Sequence, residues 1–147
     1  MEENYYKVYK DAFEEACKGL AEGGIPIGAV LAKGDKIIGA GHNRRVQNGN
    51  PILHGEMDCL QNAGRQKSYK GMTLYTTLSP CMMCSGTIMQ FKIKKVVIGE
   101  NINFKGNIEF LRNNGVEVIL LNDEPTILMM REFITKNPEL WNEDITE

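Results

Sequence analysis

What the chain has little of narrows its chemistry first. Its 147 residues include only two histidines, four cysteines, one tryptophan and five prolines. No stretch approaches the roughly 18 consecutive apolar residues that a spanning helix requires, so no membrane span is expected. The opening MEENYYKVYK lacks the basic start and apolar run of a secretory leader. Four cysteines without such a leader point to a reducing compartment, with free thiols rather than a disulfide framework. Acidic and basic residues nearly cancel, at a net charge of −2. No half of the chain is basic enough to advertise a polyanion footprint, which argues against nucleic acid as a partner. Repeats, low-complexity segments and long linkers are also absent. What remains is one domain over residues 1–147, with a hydrophobic fraction of 42% that suffices for a core.

The pattern of apolar residues supplies the architecture. Residues 5–20 carry Val8, Tyr9, Ala12, Ala16 and Leu20 at helical spacing and stop at Gly23-Gly24. IGAVLA and KIIGAG read as strands joined by the turn KGD. Residues 54–63 read as a helix closed by Gly64, MTLYTTL as a strand, 81–91 as a helix and KVVIGE as a strand. A short helix over 107–113, the strand VEVILL and a helix from Pro125 to about Lys136 complete the chain. Alternation of strand and helix in the later half implies parallel strands with crossover helices, and the opening hairpin adds an antiparallel edge. The expected fold is a three-layer α/β/α sandwich with a mixed five-stranded sheet. Cys17 and Cys59, each in a helical segment, are expected in the core as small hydrophobes.

The chemistry concentrates in two short motifs. LHGEMDCL holds His54 and Glu56, and SPCMMCSG holds Cys81 and Cys84; each falls where a helix should start. A pair of cysteines three apart can place both sulfurs on one ion, and a helix N-terminus favours thiolates. A redox pair would leave His54 and Glu56 without a role. A structural site would need a fourth ligand such as His42 or Cys59, but Cys59 lies more than a turn along the helix from His54. Three protein ligands leave an open position, as catalytic zinc requires. Mid-helix, an offset of two residues would turn His54 and Glu56 roughly 200° apart. Both can therefore serve one site only if it lies ahead of the helix end. HxE followed about 25 residues later by PCxxC, each at a helix start, is the signature of zinc deaminases. It assigns one Zn2+ per subunit, with a catalytic water or hydroxide, to His54, Cys81 and Cys84, and proton transfer to Glu56. His42 reads as a structural histidine at the strand end. Asn43 offers a donor and an acceptor to a planar heterocycle, or it forms the turn.

GAGHN, HGE, TTLSPCMMCSG, NINF and the tail WNEDITE together resemble the cytosine deaminases of yeasts, within the cytidine deaminase-like zinc superfamily. The resemblance runs from the first helix to the last residue. It implies a homodimer that converts free cytosine to uracil and ammonia in pyrimidine salvage, in the cytoplasm or also the nucleus. It implies substrate contacts from Asn43, Gly55, Ser79, Phe104, Trp141 and Asp144, with Asn43 and the Gly55 amide on the ring carbonyl. Ser79 and Asp144 would face the amino group, Phe104 and Trp141 would form walls, and residues 139–147 would act as a lid. The chain departs from the family at Ile52, where threonine is usual, and in shorter turns at KGD and QKSYKG. A tRNA adenosine deaminase or a deaminase of guanine or another small base would use the same metal chemistry. A zinc-stabilised binding module would have no need of Glu56. The basic runs at Lys92, Lys94 and Lys95 and at Arg65, Lys67 and Lys70 read as solvated surface.

Overall fold

The computed structural model describes residues 4–147. Helix α1 (Tyr6–Ala21) buries Val8, Tyr9, Ala12, Ala16 and Gly19, one stripe at helical spacing. Leu20, expected on that stripe, is exposed. Cys17 is also exposed, a correction to the core reading: it lies about 100° around the helix from Ala16, off the buried stripe. Cys59 is fully buried, as expected, and burial pushes its thiol pKa up.

Strands β1 (Gly28–Lys33) and β2 (Lys36–His42) form the expected hairpin around Gly34, whose φ of +61° is open to glycine. After β2 come the single turn α2 (Arg45–Asn48) and helix α3 (Gly55–Ala63). Strand β3 (Met72–Leu78), helix α4 (Met82–Gln90), strand β4 (Lys95–Glu100), helix α5 (Ile108–Asn113) and strand β5 (Glu117–Leu120) follow. Helices α6 (Glu124–Lys136) and α7 (Pro138–Asp144) end the chain. The strand order is β2-β1-β3-β4-β5, with β1 antiparallel to both neighbours and β3, β4 and β5 parallel. The mixed five-stranded sheet is thus as expected.

Alternation along the strands divides the core into two layers. Ala29, Leu31, Leu74, Val96 and Ile98 face Cys59 and Leu60 of α3, Ile88 of α4 and Leu111 of α5. Val30, Ala32, Tyr75 and Val97 face Val8, Tyr9 and Ala12 of α1. Helix α6 joins the α1 side through Thr126, whose hydroxyl pairs with Tyr9 at 2.6 Å and donates to Asp123. A third cluster gathers at one end of the sheet, where Ile25, Ile27 and Leu78 meet Met130 and Phe133 of α6 and Trp141 of α7. This cluster anchors the C-terminal helix beside the strand ends where the chemistry lies.

Candidate active site

His54 and Cys81 occupy equivalent places, each in extended backbone as the residue that caps a helix start: α3 for His54 and α4 for Cys81. Cys84 lies three residues into the second helix. Both helix starts open at the C-terminal edge of β3, the edge at which parallel sheets present their sites. His54 Nδ1 is 3.5 Å from Cys81 Sγ and 3.8 Å from Cys84 Sγ. One ligand atom from each of the three residues lies within 4.8 Å of the others. Tetrahedral zinc, with bonds of about 2.3 Å to sulfur and 2.0–2.1 Å to nitrogen, would hold such ligands about 3.5–3.8 Å apart. The donor set fits Zn2+, with both sulfurs at tetrahedral spacing from His54 Nδ1. Among the described residues this is the one such group, and neither His42 nor Cys59 joins it.

The electrostatics agree with a thiolate-rich site. A hydrogen bond from the Cys84 thiol, followed by contributions from His54 and the Cys84 backbone N–H, lowers the Cys81 thiol to about 4. As the donor in that pair, and being buried, the Cys84 thiol is pushed well up. Glu56 is 4% exposed. Burial, and next the negative charge at Cys81, raise its carboxyl to about 7. It faces the same pocket as His54 and Cys81, ahead of the α3 end, where the two-residue offset requires the site to be.

Ile27, Leu78, Ser79, Phe104, Asp144 and Ile145 complete the walls of that pocket. Together they leave a free volume of about 20 Å3, on the order of one water molecule. Asp144 is buried, which raises its carboxyl pKa, and its Oδ1 lies 3.7 Å from His54 Nε2. Asn43 is fully buried behind it, donating from Nδ2 to Asp144 Oδ1 at 3.1 Å and accepting from the Arg45 backbone N–H at 3.0 Å. The turn-forming reading of Asn43 thus holds, and its amide keeps one N–H and one lone pair beyond these contacts. Trp141 stands one layer out, edge-on to Phe104 at 6.1 Å between ring centres. Gly55 packs so closely that an added Cβ would lie 2.9 Å from the Ile27 carbonyl oxygen. Ile52 points away, 55% exposed, so the family's threonine has no counterpart at the pocket wall.

His42 is structural, as its sequence context suggested. Its ring nitrogens meet Glu15 and Glu22, each at 2.8 Å, and its backbone N–H donates to Asp58. Sequence reasoning overlooked Glu100. Its buried carboxylate accepts from the backbone N–H groups of Ile102 and Asn103 and from Asn103 Nδ2, at 2.8–2.9 Å. That cradle fixes the turn leading to Phe104. A carboxylate ending the apolar run KVVIG was the available signal. Gly106, at φ +66°, lets the same loop pass against Ser79, whose hydroxyl donates to the Lys105 carbonyl.

Residues 2–100 match the family described as the cytidine and deoxycytidylate deaminase zinc-binding region. The cytosine deaminase of Candida albicans is 52% identical over 139 residues, covering 92% of this chain and 93% of its own. The tRNA-specific adenosine deaminase of Buchnera aphidicola is 35% identical over 131 residues, covering 87% of this chain and 83% of its own. Among solved structures, the guanine deaminase of Nitrosomonas europaea superposes with a TM-score of 0.77 at 20% identity, over 92% of this chain and 87% of that one. A deaminase fold, a deaminase sequence signature and a His-Cys-Cys cluster at zinc spacing coincide in one place. The chain therefore belongs to the cytidine and deoxycytidylate deaminase family, as a zinc-dependent hydrolytic deaminase grouped with the cytosine deaminase of Candida albicans.

Proposed function

We propose that the protein hydrolyses free cytosine to uracil and ammonia, as a homodimer in pyrimidine salvage, in the cytoplasm or also the nucleus. The observation that carries the free-base reading is closure. Phe104, Asp144 and Ile145 close over His54 and Glu56 and leave only about 20 Å3, so the cover must move to admit even a bare base, and a ribose on that base would hold it open. Cytosine, rather than a purine, is supported by 52% identity to a cytosine deaminase along 92% of the chain.

His54, Cys81 and Cys84 hold the metal. When bound, Zn2+ supplies Lewis acidity that makes a water molecule nucleophilic near neutral pH. Glu56, with a carboxyl raised to about 7, takes a proton from that water and delivers it to the ring nitrogen beside the reacting carbon. The water oxygen adds to the carbon bearing the amino group. Glu56 then carries a second proton to the amino nitrogen, the C–N bond breaks and ammonia leaves. Asn43 and the Gly55 amide hold the ring carbonyl, and the Ser79 carbonyl and Asp144 receive the amino group. Phe104 confines the ring, backed by Trp141 from one layer out, so orientation is fixed before chemistry.

Residues 139–147 act as the lid of a single deaminase domain. The small free volume of the pocket supports this, because a base can enter only if Asp144 and Ile145 withdraw. No nucleic acid is required. The test is turnover of zinc-loaded protein on cytosine, cytidine, adenine, guanine and an adenosine-containing tRNA stem-loop. Cytosine should be deaminated, and cytidine at least about 10²-fold more slowly, because misplacement of the base alone costs that much. Comparable cytidine turnover, or a preference for the stem-loop, would replace this reading.

A further inference from the structure

Two arginines follow Asn43 and point in different directions. Arg44 stays within the body of the protein, with Nε donating to Asp58 at 3.1 Å and Nη1 3.8 Å from Glu22. Arg45 turns toward the C-terminal helix. Its Nε donates to the Pro51 carbonyl at 3.0 Å, and its Nη1 donates to Glu143 Oε1 of α7 at 3.1 Å. The same Nε lies 3.9 Å from Asp144 Oδ1. Arg45 also lines an outer groove of about 450 Å3 that runs over the pocket, with Pro51, Met82, Met83, Asn107 and Thr146.

We infer that Arg45 is a positioning residue that latches α7 shut over the pocket through Glu143, an inference that rests on the lid reading. The geometry separates a fixed half from a moving half. The Pro51 carbonyl, which lies outside α7, tethers the guanidinium, so little side-chain freedom remains to be lost when Glu143 arrives. Glu143 travels with α7, beside Asp144, which covers His54. Withdrawal of the helix must therefore break this pair. The Glu143 side chain is 66% exposed and Arg45 16% exposed, so water and salt screen the contact. An exposed pair of this kind shifts an equilibrium by roughly 2–5-fold. Such a size suits a gate that opens once per turnover. Trp141, buried among Ile25, Ile27 and Phe133, supplies most of the docking, and the ion pair adjusts how often it is undone.

The test uses full-length, zinc-loaded protein with Arg45→Gln, Glu143→Gln and both together. Hydrogen exchange is read at the Trp141 and Ile145 amides, which donate to the Asn137 and Trp141 carbonyls. Exchange there reports opening of α7 even when the open form is rare. Each single change should speed it roughly 2–5-fold, leaving strand amides unchanged. The double variant should exchange no faster than the faster single, because one contact is lost either way. KM for the base should rise by the same factor while kcat does not fall. Added salt should reproduce the effect in the parent protein and do nothing further to Glu143→Gln. Unchanged exchange in Glu143→Gln, or effects that multiply in the double variant, would overturn the latch. Glu143→Gln changes an exposed side chain and keeps the test valid if Arg45→Gln folds poorly. The lid itself fails differently: a chain lacking residues 139–147 would then turn over cytosine at full rate, whatever the latch variants do.

Discussion

Glu56 carries the sharpest division of labour in the site. It lies two residues from His54 yet is not a member of the His54, Cys81 and Cys84 ligand group. Its carboxyl is buried and raised to about 7, so it can hold a proton or release one at small cost near neutral pH. Glu56→Ala should keep zinc and fold but lose roughly 10²–10⁴-fold in turnover. Cys81→Ala should lose the metal as well, since His54 and Cys84 alone complete only half of a tetrahedral shell. Metal content measured beside steady-state rates distinguishes the two, and near-normal turnover of Glu56→Ala would remove its assignment. The ligand residues were legible because their spacing is local: HxE and CxxC each act within one helix start. Asp144 as the neighbour of His54 Nε2 was not, because that contact joins residues ninety positions apart and depends on how α7 docks. Cys17 was misjudged for a related reason. A helix segment shows which residues are apolar, but the edge of its buried stripe is set by whatever packs beside it.

At the scale of elements, α7 is the proposed lid, since it places Asp144 against His54. Pro138 follows directly on Asn137, the residue that closes α6. It opens α7, since the first helical turn needs no amide donor there. The tail therefore forms a short helix with Trp141 and Asp144 buried on one face. Excluding water by such an element strengthens every charge–dipole interaction around His54 and Glu56. Deleting residues 139–147 should cut cytosine turnover by about 10²-fold or more, the scale of a lost positioning element. The deletion also uncovers the apolar cluster around Ile27, Leu78 and Phe133. Loss of a buried tryptophan of this kind costs about 3–5 kcal/mol. Zinc content and far-ultraviolet circular dichroism, taken on the truncated protein, show that closure rather than the fold was removed. Full turnover without the tail would mean that α7 is dispensable.

The topology of the whole molecule followed from the order of its elements. A hairpin followed by alternating strands and helices leaves few arrangements, and β2-β1-β3-β4-β5 keeps every sequential pair adjacent except β2 and β3, which β1 separates. Assembly is different, because a single sequence records which residues are apolar and not which of them meet another chain. The structure offers a physical argument. Ile52 and Met82 are 55% and 58% exposed, and Phe91 is 38% exposed. Ile52 and Phe91 line a groove of about 430 Å3 with Leu53, Met57, Leu60 and Tyr69 on the α3–α4 side of the sheet. Tyr69 and Phe91 stack at 4.9 Å, giving that groove a flat aromatic rim. Scattered apolar residues are ordinary on a surface, but a contiguous group on one face marks a place where another surface fits. A second copy of the chain is the partner proposed here. Because both metal-bearing helices form this face, pairing would brace them from behind while leaving the pocket free. Sedimentation at micromolar concentration should give twice the 16.5 kDa chain mass. Ile52→Asp with Phe91→Asp places two charges in the groove and should shift the protein toward monomer, since isolated charges are costly to bury. A parent protein that sediments as a monomer would end the proposal, and a charged variant that stays dimeric would move the interface to another face.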